Sequence, residues 1–211
     1  MARIAPGDLC WALAMGWHDF RRAPAFGLLL TAPYALTGLA LTWAAPDLAV
    51  ALALGFALIA PVVAVSLYEV SRRIEAAEPL DWPAIIRVLR RRGAALPVAG
   101  GLMVLALLVW LGLWQALEGA PRIAALGLLA GGAFAATVVG WPMLLDRQGG
   151  LGRAAAASVR AVAAQPGVMA IWAVLLAVGM GLAILPGFLG LPLILPILGH
   201  ASWHLYRRIS R

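Results

Sequence analysis

Residues 167–206 read GVMAIWAVLLAVGMGLAILPGFLGLPLILPILGHASWHLY, and the number of helices in this stretch decides the topology of the whole chain. From Val168 to Ala201 the only ionisable side chain is His200. As one helix this segment would be a rod of about 50 Å, too long for a single crossing of a hydrocarbon core about 30 Å thick. Pro186-Gly187, near its middle, is a turn signal. Two helices over 167–185 and 187–206, joined by a tight connection, are therefore expected.

Working outward, four further apolar stretches of bilayer-crossing length lie at 26–45, 48–68, 96–117 and 123–145. The chain carries 16 basic residues, all of them arginine. Fifteen fall before the first span, after each even span, or at the C-terminus; only Arg122 lies in a connection of the other kind. Such one-sided placement is the mark of cytoplasmic segments. A single crossing over 167–206 would put Arg207, Arg208 and Arg211 on the opposite side. The sequence thus predicts an all-α polytopic membrane domain over residues 1–211, with six spans arranged as three hairpins. Both termini are expected in the cytoplasm, in a bacterial inner membrane. Trp43 and Trp114 are expected near outer ends, and Trp141, Trp172 and Trp203 near inner ends, as amphipathic rings at headgroup level.

Composition agrees. The chain is 64% apolar and only 12% charged, against about 25% charged residues in a soluble domain. Its net charge of +7 is confined to short segments between apolar runs, so anionic lipid headgroups are the expected counterpart and nucleic acid is not. The single cysteine, Cys10, excludes an internal disulfide. No signal peptide is legible near the start, where Asp8, His18, Asp19, Arg21 and Arg22 interrupt any apolar run.

The inner segments carry helical periodicity of their own. Leu9, Leu13, Gly16, Trp17 and Phe20 form one stripe, with Asp19, Arg21 and Arg22 off it. Trp82, Ile85, Ile86 and Leu89 form a second, opposed by Arg87, Arg90 and Arg91. Leu151, Ala155, Ser158, Val159 and Val162 form a third, opposed by Arg153 and Arg160. Each predicts a helix lying flat at the inner surface with its basic face toward headgroups. Asp8 and Asp81 are the expected N-caps, and Pro24, Pro97 and Pro166 the expected stops before each span. The chain therefore reads as three repeated units, 8–80, 81–149 and 150–211. Small-residue patterns, Gly127-x-x-x-Gly131 beside Gly132, Gly100-Gly101 and Gly179-x-Gly181, predict close helix approach and leave a homo-oligomer open.

The even spans end in distinctive motifs: Leu67-Tyr68-Glu69-Val70-Ser71-Arg72-Arg73, Trp141-Pro142-Met143-Leu144-Leu145-Asp146-Arg147, and Gly199-His200-Ala201-Ser202-Trp203-His204-Leu205-Tyr206-Arg207. With Gly16-Trp17-His18-Asp19, they resemble a bacterial family of predicted six-span integral membrane proteins with a domain of unknown function. Some members of that family carry a cytochrome c oxidase subunit label. The resemblance implies the architecture, and a respiratory complex as the setting.

Candidate chemistry gathers at the inner ends of the spans. His200 and His204, at i and i+4, share a helix face, a spacing that can present two imidazoles to one metal; His18 is a third candidate. The expected inner-face polar cluster is Asp19, Glu69, Arg72, Arg73, Asp146, Arg147, His200, His204 and Arg207, with the acids locking the three units together. Arg87, Arg90, Arg91, Arg153 and Arg160 are the expected headgroup contacts. No ionisable residue lies mid-span, where ion-coupled transporters keep theirs. No phosphate loop, nucleophile elbow or metalloprotease motif is present. The expectation is a non-catalytic accessory or assembly component of a membrane complex, respiratory in setting, with a membrane-complex protein as partner and no cofactor. The alternatives are a channel or carrier for a small neutral or lipid-like molecule, and a metal- or haem-binding membrane protein.

Overall fold

The computed structural model describes residues 2–91, 95–146 and 150–211, side chains excepted at 56–59, 61, 62 and 88–91. Among the described residues every regular element is a helix: α1 Pro6–Arg22, α2 Pro24–Ala44, α3 Pro46–Glu75, α4 Trp82–Arg91, α5 Ala95–Ala116, α6 Gly119–Thr137, α7 Gly140–Asp146, α8 Leu151–Ala164, α9 Pro166–Ile184 and α10 Leu191–Ile209. The order short, long, long recurs three times, with the last long element of the middle unit split into α6 and α7.

Proline sets several of these boundaries. Pro24, Pro46 and Pro166 each stand first in their helix, where the missing N–H has no intrahelical partner to lose. Pro97 departs from the expected pattern and sits as the third residue of α5. Asp81 is the N-cap of α4, its Oδ1 accepting the Ala84 N–H at 2.7 Å. Asp8 is not a cap. Pro6 starts α1 earlier, and the Asp8 carboxylate reaches back from the third position to the Ala5 N–H at 2.9 Å.

The expected fourth span breaks at Val138–Val139, before Pro142. Proline cannot donate to the carbonyl four residues earlier, here Val138. The Ser158 hydroxyl of α8 accepts the Val139 N–H at 3.0 Å, so the break is satisfied from a neighbouring helix. The α9–α10 turn falls at the expected Pro186-Gly187. Gly187 has φ +66°, and Phe188 also adopts a left-handed backbone at +69°, a costly conformation for an aromatic residue. The Phe188 ring packs on α2 at Gly38, where a Cβ would collide with it.

Among the described residues four helical stretches are long and apolar enough to cross a bilayer: Pro24–Ala44, Ala95–Ala116, Gly119–Asp146 and Pro166–Ile184. α3 contributes the apolar segment Pro46–Gly55. α10 stands outside that set because His200, His204, Arg207 and Arg208 load its second half. Yet α10 is the centre of the bundle. It packs on α1, α2, α3, α7 and α9, and Trp203, Leu205, Tyr206 and Ile209 join the main core with Trp172 and Met169 of α9.

Tryptophan placement corrects the expectation in part. Trp141, Trp172 and Trp203 are core residues, at most 3% exposed, whereas Trp43 is 84% exposed. These three tryptophans fill volume between packed helices.

Candidate functional site

One end of the bundle is built around Asp19, on α1. The expected stripe left it on the polar side, but Asp19 is 1% exposed and faces α10 along with Leu9, Ala12, Gly16 and Phe20, while Trp17 is exposed. The reason is His204, whose Nε2 lies 2.7 Å from Asp19 Oδ2. Burial by itself raises a carboxyl pKa. The hydrogen bond and charge of His204, with the nearby Ser71 hydroxyl, outweigh burial and hold Asp19 below its ordinary value. An ionised Asp19 makes the His204 nitrogen the donor. His18 Nδ1 stands 3.5 Å from the other carboxylate oxygen.

His200 is bound separately. Its Nδ1 pairs with Ser71 Oγ of α3 at 2.8 Å. The two imidazoles that share a helix face therefore answer to different helices, one to α1 and one to α3. Among the described residues no group of three or more His, Cys, Asp or Glu is placed to hold a metal ion.

Glu69 works within its own element. It pairs with Arg72 through two contacts of 2.7 and 2.8 Å and with Arg73 at 2.7 Å. Arg72 continues to Glu78 at 2.9 and 3.0 Å, and Arg73 donates to the Pro79 carbonyl at 2.8 Å. Glu69's contacts among the described residues stay within its own unit and fasten the turn after α3, where it had been expected to join repeat units. Asp146 does join them: its Oδ2 accepts from the Tyr206 hydroxyl at 2.8 Å and lies 3.5 Å from Arg207 Nη1. Arg207 also meets Glu75 at 3.1 Å, as does the Trp203 indole at 3.2 Å. Arg147 and the side chains of Arg90 and Arg91 lie outside the described residues.

Several pairings in the site carried no sequence signal. Ser71, Glu75, Trp203 and Tyr206 pair across more than fifty positions of chain, which local periodicity cannot show. Trp11 is clasped between Arg208, 4.3 Å over its ring, and the edge of His204 at 5.8 Å. Gln165 binds the N-terminal strap by accepting from Ile4 N–H at 2.6 Å and donating to the Ala2 carbonyl at 3.1 Å.

On the outer surface of the same end, Arg3, Arg21, Arg22, Arg153 and Arg160 are exposed. Arg87 is exposed too, with Asp81 3.9 Å away. Charges inside the site are paired, and charges on the surface helices point away from it.

A second feature lies toward the other end: a crevice of about 600 Å³ among α3, α6, α9 and α10. α3 and α10 pack together as its floor, and α6 and α9 form its walls. Its described lining is apolar, from Leu54 and Leu185 along Ala60, Ala64, Ala177 and Met180, and ends at Tyr68, Thr137 and Ser202. A continuous polar path, which a channel for polar solutes needs, is not what these residues make.

Residues 49–119 match the family of predicted integral membrane proteins termed DUF2189. That is the kind of family the terminal motifs resemble, and the chain is an integral membrane protein with several apolar helices. The match covers about a third of the chain, from α3 through α4 to the end of α5, and includes Tyr68, Glu69, Ser71, Arg72 and Arg73. The Gly199-His200 to Arg207 ending, equally distinctive in the sequence, falls outside it. No curated protein and no solved structure matches the chain.

Proposed function

We propose that the chain crosses a bacterial inner membrane six times, as three hairpins with both termini in the cytoplasm, and serves as a non-catalytic accessory or assembly component of a membrane complex. The observation that carries this reading is the sorting of charge at one end of the bundle. Asp19 is engaged with His204, Glu69 with Arg72 and Arg73, and Asp146 with Arg207, while exposed arginines stud α1, α4 and α8. A buried network so committed holds helices together, whereas free guanidinium groups on a rigid platform suit anionic headgroups and the acidic face of a partner subunit.

The test is affinity isolation from native membranes in mild detergent, followed by mass spectrometry. A partner at stoichiometric yield is expected, lost when Arg153 and Arg160 are replaced by glutamate although the isolated protein melts at the same temperature. Recovery of the chain alone, at every detergent strength, would overturn the reading.

A further inference from the structure

We infer that the crevice among α3, α6, α9 and α10 is a binding site for a neutral single-chain lipid, whose hydroxyl- or carbonyl-bearing head meets the Tyr68 hydroxyl. The crevice follows α3 from Ala53 to Tyr68, about 22 Å of helix and most of the depth of a hydrocarbon core about 30 Å thick. Its volume of about 600 Å³ falls within the ~300–1,000 Å³ of small-molecule sites. Two of its elements present small residues at helical spacing, Ala53, Ala60 and Ala64 of α3 and Ala173, Ala177 and Gly181 of α9, and α6 adds Ala130 and Gly131. Elsewhere in this bundle small residues admit a neighbour, as Gly16 and Gly38 do; a Cβ added at Gly131 or Gly181 meets nothing within 4 Å. The small side chains here keep space open.

The lining fixes the class of occupant. None of its described residues is charged, so an anionic or cationic head would be desolvated without a partner, at high cost. The polar end is asymmetric. The Thr137 and Ser202 hydroxyls already donate to their own helix carbonyls, Ala133 and Leu198, at 2.7 Å each, and offer only lone pairs. Tyr68, 5% exposed, lines the crevice with a hydroxyl that has no hydrogen-bond partner among the described residues. A hydroxyl that is accessible and unpaired is free to bond a molecule entering the crevice. One donor beside two acceptors, at the end of an apolar slot, fits an alcohol or carbonyl on a single apolar chain. Binding alone is inferred, whether or not the chain also serves a larger complex.

The experiment uses the purified full-length protein in dodecyl maltoside and a hexadecanol analogue with a photoreactive group in its chain. Labelled peptides are expected from the lining segments of α3, α6, α9 and α10, and unlabelled hexadecanol should compete while hexadecane competes poorly. Losing one hydrogen bond in Tyr68→Phe should weaken binding about two- to tenfold. Ala177→Leu, which fills the slot, should abolish it, with melting temperature as the folding control for both. Labelling spread evenly over the exposed faces of α2 and α5 would overturn the inference, as would equal competition by a two-chain phospholipid. So would a Tyr68→Phe protein that binds as well as wild type, or cross-links showing a second copy of the chain seated between α6 and α9. If Ala177→Leu fails to fold, the hexadecanol and hexadecane competitions on the unaltered protein decide.

Discussion

At the scale of single residues, Asp19 governs how one end of the bundle holds together. Removing one member of a buried ion pair strands the other, a loss of roughly 3–5 kcal/mol. Asp19 and His204 have side chains 1% and 8% exposed. Asp19→Ala is therefore expected to lower unfolding stability in detergent by about 3 kcal/mol, read from a chemical denaturation curve. Because the folded pKa of Asp19 is depressed, its contribution is fully present above the unfolded value of about 4 and is lost as pH falls through the lower folded value. The stability gap between wild type and Asp19→Asn should hold constant from about pH 7 to 5 and close in stronger acid; a gap that closes near neutrality would refute the assignment. The pairing of His200 and His204 on one helix face was legible from their spacing. Their partners were not, since Ser71 and Asp19 lie 129 and 185 positions away, and nothing local marks such a distance.

Glycine distinguishes two kinds of helix surface at the scale of elements. A Cβ at Gly16 of α1 would strike the Ile197 carbonyl and stand 2.7 Å from the Ala201 amide. Gly16→Ala is expected to push α1 off α10 and cost about 1–3 kcal/mol. At Gly127, where sequence spacing promised close approach, nothing lies within 4 Å; Gly127→Ala should raise stability by about 0.5–1 kcal/mol through backbone entropy alone. Both read out in the same thermal melt. The acids separate likewise. Glu69→Gln should speed amide exchange around residues 72–81 and leave α10 untouched, whereas Asp146→Asn should loosen both α7 and the last two turns of α10. Equal spread of the two effects would show that Glu69 does bridge units. Helix positions were largely legible, because proline and apolar length are local signals. Facing was less so: α8 buries Ala154, Ala157, Ser158 and Ala161 and leaves Val159 47% exposed, a rotation that small residues permit and hydrophobicity alone does not forecast.

The whole molecule sets α10, a long helix whose second half is polar, at the centre of the bundle. The arginine asymmetry predicts which end faces the cytoplasm. A fluorescent reporter that folds only in the cytoplasm should light up when joined at Arg211 and stay dark when inserted at Leu117-Glu118; the reverse pattern would invert the topology. The central position of α10 also has a meaning in time. Membrane chains are made from the N-terminus onward, so α1, α2, α3, α7 and α9 emerge before the helix on which they all pack. Until residues beyond Gly190 leave the ribosome, Asp19 waits without His204 and Ser71 without His200. The bundle is thus assembled like an arch, with its keystone placed last, and the interval before that placement is when the unfinished chain is most open to chaperones and proteases.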